Sequence, residues 1–526
     1  MPKAAGTILQ RLRHARWAAW LADAATGAAA ALGQVPFSLW PVALAAFALV
    51  LWRLSSAPGA AAAFRRGLVI GAGHFAVALS WIVQPFLVDA RAWGWAAPFA
   101  LAGVALGFGL FWGLAGWIAG RTRTGAFGAA LALSGMELVR GHLLGGFPWA
   151  LPGQIWADTA LAQVASLTGS HGMTALTLLA LAGPLALGGR GLVLTLVVGV
   201  LAGGWSWHRL ALPEPEARPG RVRIVQPDIA QSLKWDPDEA RVNFSTLLAL
   251  TGTAWRAGAE SAEAAGIAGP GPELVIWPET AVPWLVEPGG RVAQAISEAA
   301  GGAPVATGIQ REEGALAWNT LAVIGPGGTL GQWFDKIHLV PFGEYVPSGD
   351  FLYRNFGLRA FASQAGAGYS AGRARTLLDF GPLGRALPVI CYEAIFPLEL
   401  VTDERPDWIM QVTNDAWFGT RTGPYQHLAL VRLTAIELGL PVLRAANTGI
   451  SAAIDARGRI VEAGDGRLAS LALGKRGVLD LSAIPGALPL TPHARTGDGL
   501  LALLLVAGLA LFTVRVRRRL RRAARA

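Results

Sequence analysis

The sequence predicts a multi-domain membrane protein, with eight transmembrane α-helices plus an extracytoplasmic α/β domain. Three observations carry that expectation: apolar blocks at both ends of the chain, ordinary globular composition between them, and short loops between the blocks whose basic residues lie nearly all on one side. Of 526 residues, 53% are hydrophobic and only 15% charged, with a mean hydropathy of +0.43. A soluble protein of this composition would be unusual.

A helical crossing of the hydrocarbon core needs roughly 20 apolar residues, because lipid offers no partner to backbone polar groups. Eight stretches fit: 17–32, 36–51, 68–87, 96–119, 125–139, 161–187, 191–207 and 500–514. With the basic amino terminus in the cytoplasm, Arg53, Arg65 and Arg66 fall in one inner loop, Arg121 and Arg123 in the next and Arg190 in a third. The arginine-rich carboxyl tail ends inside as well, and the outer loops are nearly free of Lys and Arg apart from Arg91 beside Asp89, so by the positive-inside rule residues 211–495 lie outside. If the first stretch were a cleaved signal peptide, the remaining topology would be unchanged. The expected organisation is a membrane domain over 1–212 with seven spans, a catalytic domain over 217–487, and an eighth span with a basic cytoplasmic tail over 497–526.

The net charge of +10 comes from the two ends. Lys3, Arg11, Arg13 and Arg16 stand at one, and Arg515, Arg517, Arg518, Arg519, Arg521, Arg522 and Arg525 at the other, which leaves the rest close to neutral. The basic balance is therefore a topology signal and no nucleic-acid surface is expected. Cys391 is the only cysteine, so no intrachain disulfide forms and zinc-type cysteine spacings are absent. His142, His171, His338 and His427 show no metal constellation and read as structural, so neither metal nor cofactor is expected. Asp415 reads as a loop-shaping side chain. Glu137 and Arg140, near the end of one span, either pair or meet lipid head groups.

From Arg221 the pattern becomes that of an α/β domain. RVRIVQP, ELVIWPE, APVATGIQ, ALPVICYE, DWIMQVTND and PVLRAANTG read as strands. ARVNFSTLLALTGTAW, RVAQAISEAA and YQHLALVRLTAIEL read as amphipathic helices, with turns near Gly325 and Asp455. Three segments carry unusual cargo: Glu279 after ELVIWP, Lys336 in WFDKIHLVPFGEYVP, and Cys391 after LPVI. Strand exits are where open α/β sheets place their chemistry. Singly, an exposed Glu or Lys is a solvated charge and a lone Cys a small hydrophobe. Together they suit acyl transfer, in which a thiol needs a base to take its proton and a cation to favour the thiolate. Glu279 supplies the first and Lys336 the second, and Lys336 with the backbone N–H after Cys391 can hold a tetrahedral oxyanion.

These motifs resemble the nitrilase superfamily, whose catalytic Glu, Lys and Cys come in this chain order on an αββα sandwich. The chain is similar more specifically to the membrane branch of that superfamily, the apolipoprotein N-acyltransferase family. IVQPDIAQSLKWDP, IWPETA, FDKIHLVPFGEYVP, VICYEAIFP, TNDAWFG, GPYQHLALVRLTAIELG, LRAANTGISAAID, LTPHARTGD and GGFPWALPGQ carry the likeness.

The resemblance implies a catalytic set of Glu279, Lys336 and Cys391, with Trp235, Glu344, Tyr345, Tyr392 and Glu393 binding substrate or supporting the site. It implies an acyltransferase in which Cys391 takes a fatty acyl group from a phospholipid, usually phosphatidylethanolamine. The acyl group then passes to the α-amino group of the N-terminal diacylglyceryl-cysteine of a lipoprotein. The implied location is the bacterial inner membrane, with the catalytic domain periplasmic and both termini cytoplasmic. Residues 351–372, rich in aromatics and glycine, are expected to form a lid toward the membrane. An amidase releasing product to water would use the same triad but has no need of seven preceding spans, and a transporter would need polar residues at mid-membrane that these spans largely lack.

Overall fold

The computed structural model describes residues 2–234, 236–255, 271–314, 316–346, 368–463 and 466–523. It divides into two compact units, one comprising Met1–Leu212 with Arg495–Ala526 and the other Pro213–Ala494.

The first unit is helical. Each of the eight apolar stretches falls on a helix: Pro2–Ala31, Trp40–Ser55, Ala60–Ala78, Ala97–Thr122, Gly125–His142, Ala165–Leu187, Gly189–Ala211 and Gly499–Ala523, the third continuing past a bend through Ser80–Val88. Among the described residues, four segments are long and apolar enough to cross a membrane, namely Ala90–Thr122, Ala160–Leu187, Gly189–Ala211 and Gly499–Arg518. The bent pair Ala60–Ala78 and Ser80–Val88 raises the number to five. Trp40–Ser55, at 16 residues, is short for a span. Small residues bring helices together: a Cβ at Gly67 would stand 2.2 Å from the Trp112 carbonyl oxygen, and one at Gly116 2.4 Å from that of Ala63. Such backbone approach substitutes for the hydrophobic drive that is absent between helices in lipid. Glu137 and Arg140, both buried, pair at 2.5 Å. Trp112 Nε1 donates to Glu137 at 2.7 Å, and Arg140 also donates to the carbonyls of Phe147 and Trp149. Of the two expectations for this pair, the ion pair holds, and its remaining donors fix the FPW turn.

The second unit is built on two six-stranded sheets, ordered β12-β1-β2-β3-β4-β5 and β11-β10-β9-β8-β7-β6. In the first, β1 (Arg218–Gln226), β2 (Leu274–Ile276) and β3 (Val305–Glu313) are parallel, while β4 (Leu316–Ile324), β5 (Leu330–Asp335) and β12 (Gly477–Ile484) pair antiparallel. In the second, β7 (Arg385–Ile390), β8 (Trp408–Thr413) and β9 (Val442–Ala446) are parallel, flanked by β6 (Leu378–Asp379), β10 (Ser451–Ile454) and β11 (Ser470–Leu471). Alternation decides the layers, because successive side chains point to opposite faces. Val222, Ile224, Leu274 and Ile276 meet Ile390, Trp408, Met410 and Val412 between the sheets. Val225, Val275 and Trp277 instead face the helices Pro237–Thr251 and Arg291–Ala299 through Leu247, Ala293 and Ile296. Leu387, Val389 and Ile409 pack under Gly423–Leu438 through Leu428, Val431 and Ala435. Burial on both faces explains why these strands read as nearly continuous apolar runs.

Local chemistry starts the Pro237–Thr251 helix. Asp236 accepts from the N–H groups of Asp238 and Glu239, Pro237 occupies the first turn, and both acidic residues face the positive helix end. Inside the same layer Arg223 on β1 is fully buried, paired to Asp480 on β12 at 2.7 and 2.8 Å and donating to the carbonyls of Thr251, Thr253 and Ala254. Replacing it removes two charge-assisted bonds from a buried carboxylate and one donor from each of three carbonyls. Arg223→Met should therefore destabilise this unit by about 3–5 kcal/mol, seen as an earlier denaturant midpoint in tryptophan fluorescence; an unchanged midpoint would show that the pair is not structural.

Candidate functional site

Three strand ends converge. β2 ends just before Glu279, β5 just before Lys336, and β7 immediately before Cys391. Glu279 and Lys336 leave the first sheet on one edge, since β5 runs parallel to β2 through two antiparallel pairings. Cys391 leaves the facing sheet and opens a short 3₁₀ turn, Cys391–Ile395. It does so in the left-handed region, with φ of 52°, as does Thr280 beside Glu279 with φ of 47°. Non-glycine residues there are strained by roughly 1–2 kcal/mol. Close approach on the Glu279 side requires glycine, because a Cβ at Gly308 would lie 2.2 Å from the Thr280 nitrogen.

Burial forces every charge in the site to be partnered. Lys336 Nζ sits 2.8 Å from Glu344 Oε2 and 3.8 Å from Glu279 Oε1. Asn319 on β4 donates to both carboxylates, at 2.7 Å to Glu279 and 2.9 Å to Glu344. The backbone N–H of Asn414, just past β8, holds the other Glu279 oxygen at 2.9 Å, and that of Val340 holds Glu344 Oε2 at the same distance. Burial alone would strip the proton from Lys336, but Glu344 and then Glu279 and Cys391 outweigh it and raise its pKa. It is a fixed ammonium.

The cysteine thiol is buried, and burial, then the charge of Glu279, raise its pKa, while Lys336 and a hydrogen bond with Thr413 pull the other way. Lys336 thus acts in the expected direction, toward the thiolate, but burial and the Glu279 carboxylate outweigh it. Burial, then the neighbouring carboxylate, therefore favours the protonated thiol at rest.

Glu393 ties the two sheets' contributions together. One oxygen accepts from the N–H groups of Ile337 and His338 at 3.1 and 3.3 Å and from Arg375 at 3.0 Å; the other accepts from the Ile390 N–H at 2.8 Å. The turn carrying Cys391 is thereby bonded to the residues following Lys336. Tyr392 packs edge-on against Phe396, on which His338 stacks. Tyr345 is half-buried, in a bridge with Pro341. Trp235 lies outside the described residues, as does 351–367 of the expected lid. The end of that segment returns to the site: Tyr369 N–H donates to the Glu344 carbonyl and Gly372 N–H to that of Lys336, each at 2.7 Å.

Sequence reasoning passed over several groups. Lys234, beside Trp235 in SLKWDP, is buried and donates to the Glu279 carbonyl at 3.0 Å. Burial lowers its pKa to about 8 against the pull of Glu279 and Cys391. Its signal was the motif itself, whereas Asn319 in WNT and Arg375 had none. Asp415 does more than shape a loop. It pairs with His427 at 2.8 Å and Arg444 at 2.5 Å, and Arg444, then His427, hold its carboxyl at about 2 despite burial. Gln411, bonded to Arg444, donates to the Cys391 carbonyl at 3.3 Å, so this network underlies the cysteine turn. His338 pairs with Glu399.

A buried thiol facing a carboxylate and an ammonium is the equipment of amide and ester chemistry through a covalent intermediate. Comparison with known proteins agrees. Residues 221–471 match the carbon-nitrogen hydrolase family, and residues 26–183 match the apolipoprotein N-acyltransferase N-terminal domain. An apolipoprotein N-acyltransferase of Caulobacter vibrioides is 38% identical, with 96% of each chain covered. The chain belongs to the apolipoprotein N-acyltransferase family. Proteins of that name from Bradyrhizobium diazoefficiens and Brucella melitensis are each 37% identical, with 95% of both chains covered for the former and 88% and 89% for the latter.

If Glu393 sets the distance between nucleophile and ammonium, Glu393→Ala should slow acylation of Cys391 by about 10²-fold, the order reached by a 1 Å misplacement of reacting groups. Single-turnover mass spectrometry of the intact protein checks this, and wild-type acylation by the variant would remove Glu393 from the positioning role.

Proposed function

We propose that this protein transfers a fatty acyl group from a phospholipid, through a thioester on Cys391, to the α-amino group of a lipoprotein's N-terminal diacylglyceryl-cysteine. The observation that carries the reading is the buried convergence of Glu279, Lys336 and Cys391 in a family member whose other unit is built of apolar helices.

In the first step the Cys391 sulfur attacks the ester carbonyl as Glu279 takes the thiol proton. Negative charge develops on the carbonyl oxygen, where the Lys336 ammonium and the Tyr392 N–H stabilise it. Collapse breaks the ester C–O bond, and Glu279 returns the proton to the departing lysophospholipid oxygen. The second step mirrors the first: the acceptor amine attacks the thioester, Glu279 takes an amine proton, and Cys391 leaves and is reprotonated. Because Glu279 is anchored by Asn319 and the Asn414 N–H, its carboxylate keeps one orientation through both half-reactions.

The donor in this reading is phosphatidylethanolamine. All eight apolar helices serve as spans, seven before the catalytic domain over 217–487 and one after it, with both termini cytoplasmic and the catalytic domain at the periplasmic face of the inner membrane. Trp235, Tyr345 and Tyr392 contact the substrates. A membrane address suits the chemistry, since burial of each CH₂ is worth about 0.8 kcal/mol and extracting a whole acyl chain is costly. The spans place the site at the lipid instead.

Incubation of the purified protein with acyl-labelled phosphatidylethanolamine should put label on Cys391, and a diacylglyceryl-cysteine peptide should then remove it as an amide. Cys391→Ser should lose turnover almost entirely. Release of the label to water as readily as to the peptide would favour a hydrolase, and full activity in Cys391→Ser would rule out thioester chemistry.

A further inference from the structure

The helical unit holds a side-chain cluster that acyl transfer does not use. His142 ends the Gly125–His142 helix, and His171 follows a kink at Gly169 within Ala165–Leu187. Asp498 directly precedes the Gly499–Ala523 helix, its carbonyl accepting the Ala502 N–H. Among the described residues these form the one group of three His, Cys, Asp or Glu side chains with ligand atoms mutually within 4.8 Å.

Two imidazoles converge on one carboxylate oxygen, Asp498 Oδ2. His142 Nδ1 lies 3.0 Å from the Leu138 carbonyl, which can only accept, so that nitrogen carries the proton. In the neutral ring Nε2 is then a lone pair, yet it faces Asp498 Oδ2 at 3.5 Å. Either a proton on Nε2 or a cation between the two atoms makes this contact attractive. His171 is packed with Nε2 against Gly141, where a Cβ would come within 2.2 Å, so Nδ1 is the nitrogen turned to Asp498 Oδ2, at 2.9 Å.

The geometry points to a divalent transition-metal site of the zinc class, ligated by His142 Nε2, His171 Nδ1 and Asp498 Oδ2. Metal–ligand bonds of about 2 Å at the tetrahedral angle put neighbouring ligand atoms about 3.3 Å apart. The separations from Asp498 Oδ2, 2.9 and 3.5 Å, bracket that spacing, and the two imidazole nitrogens lie within 4.8 Å of each other. A protonated Nδ1 bonded to a backbone carbonyl is also how metal-bound imidazoles are commonly oriented. Neutral imidazoles with one carboxylate select zinc, nickel, cobalt or copper over magnesium or calcium, which prefer all-oxygen sites. The exposed side of His142 leaves room for a water as fourth ligand. A bound ion would join the ends of three helices and pin the last one by its first turn.

The test uses the full-length, detergent-solubilised protein without a polyhistidine tag, stripped by chelator and titrated with Zn²⁺ at pH 8, where unperturbed imidazoles are neutral. The wild type should bind one equivalent and unfold at a higher temperature when loaded. His142→Ala, at a half-exposed position, should lose on the order of 10- to 100-fold or more in affinity, and Asp498→Asn should lose the thermal shift. Co²⁺ should give the intense visible absorption of a tetrahedral centre in the wild type alone. Absence of stoichiometric zinc in the wild type, or wild-type affinity in a folded His142→Ala, would overturn the site.

Discussion

A buried ammonium is the constraint around which the catalytic unit is arranged. Lys336 is fully enclosed, and a lone charge in such a place would lose its proton or open the fold. It does neither because Glu344 meets it at 2.8 Å and Glu279 stands beyond at 3.8 Å. Two carboxylates against one ammonium leave the trio net negative, which is why Asn319 and two backbone N–H groups are aimed at the carboxylates. The excess negative charge reaches Cys391 as well, and with burial keeps its sulfur protonated at rest. A protonated thiol is less reactive toward adventitious electrophiles than a thiolate, and in the proposed reaction Glu279 is the base that takes its proton.

Holding such a trio requires that both sheets be in register. The cysteine turn belongs to one sheet and the ammonium to the other, and Glu393 bonds across the gap with one oxygen for each. Beneath the turn, Gln411, Arg444, Asp415 and His427 form a second buried polar network. Partly satisfied, these networks would weaken the core; with their charges paired, they fix it in one arrangement. Cys391 at φ of 52° shows the result, a strained nucleophile held by its surroundings.

Much of this was legible in the chain. ELVIWPE, ALPVICYE and DWIMQVTND declare β2, β7 and β8 because burial on both faces makes them continuously apolar. Glu279 and Cys391 stood out because they follow the legible strands β2 and β7, whereas Lys336 stood out through its motif, WFDKIHLVPFGEYVP. Strands β4, β5 and β12 were passed over: their polar residues, Asn319, Gln332 and Asp480, mask the alternation and find partners only in three dimensions. The same holds for Glu393, whose sequence neighbours give no hint that it reaches residues 337 and 338. In the helical unit, hydropathy located all eight helices. The sequence left open whether Glu137 and Arg140 pair, and did not foresee that Asp498 would meet two histidines more than three hundred residues away in the chain.

The central claim, that the carboxylate and the ammonium act on the thiol as one unit, is open to a double-mutant cycle. Acylation of Cys391 would be timed in a single turnover for Glu279→Gln, Lys336→Met and the combined variant. Groups working as one machine give losses that do not add, so the double variant should be about as slow as the worse single one. Losses that simply multiply would mean the two side chains act independently, and the coupled site described above would be wrong.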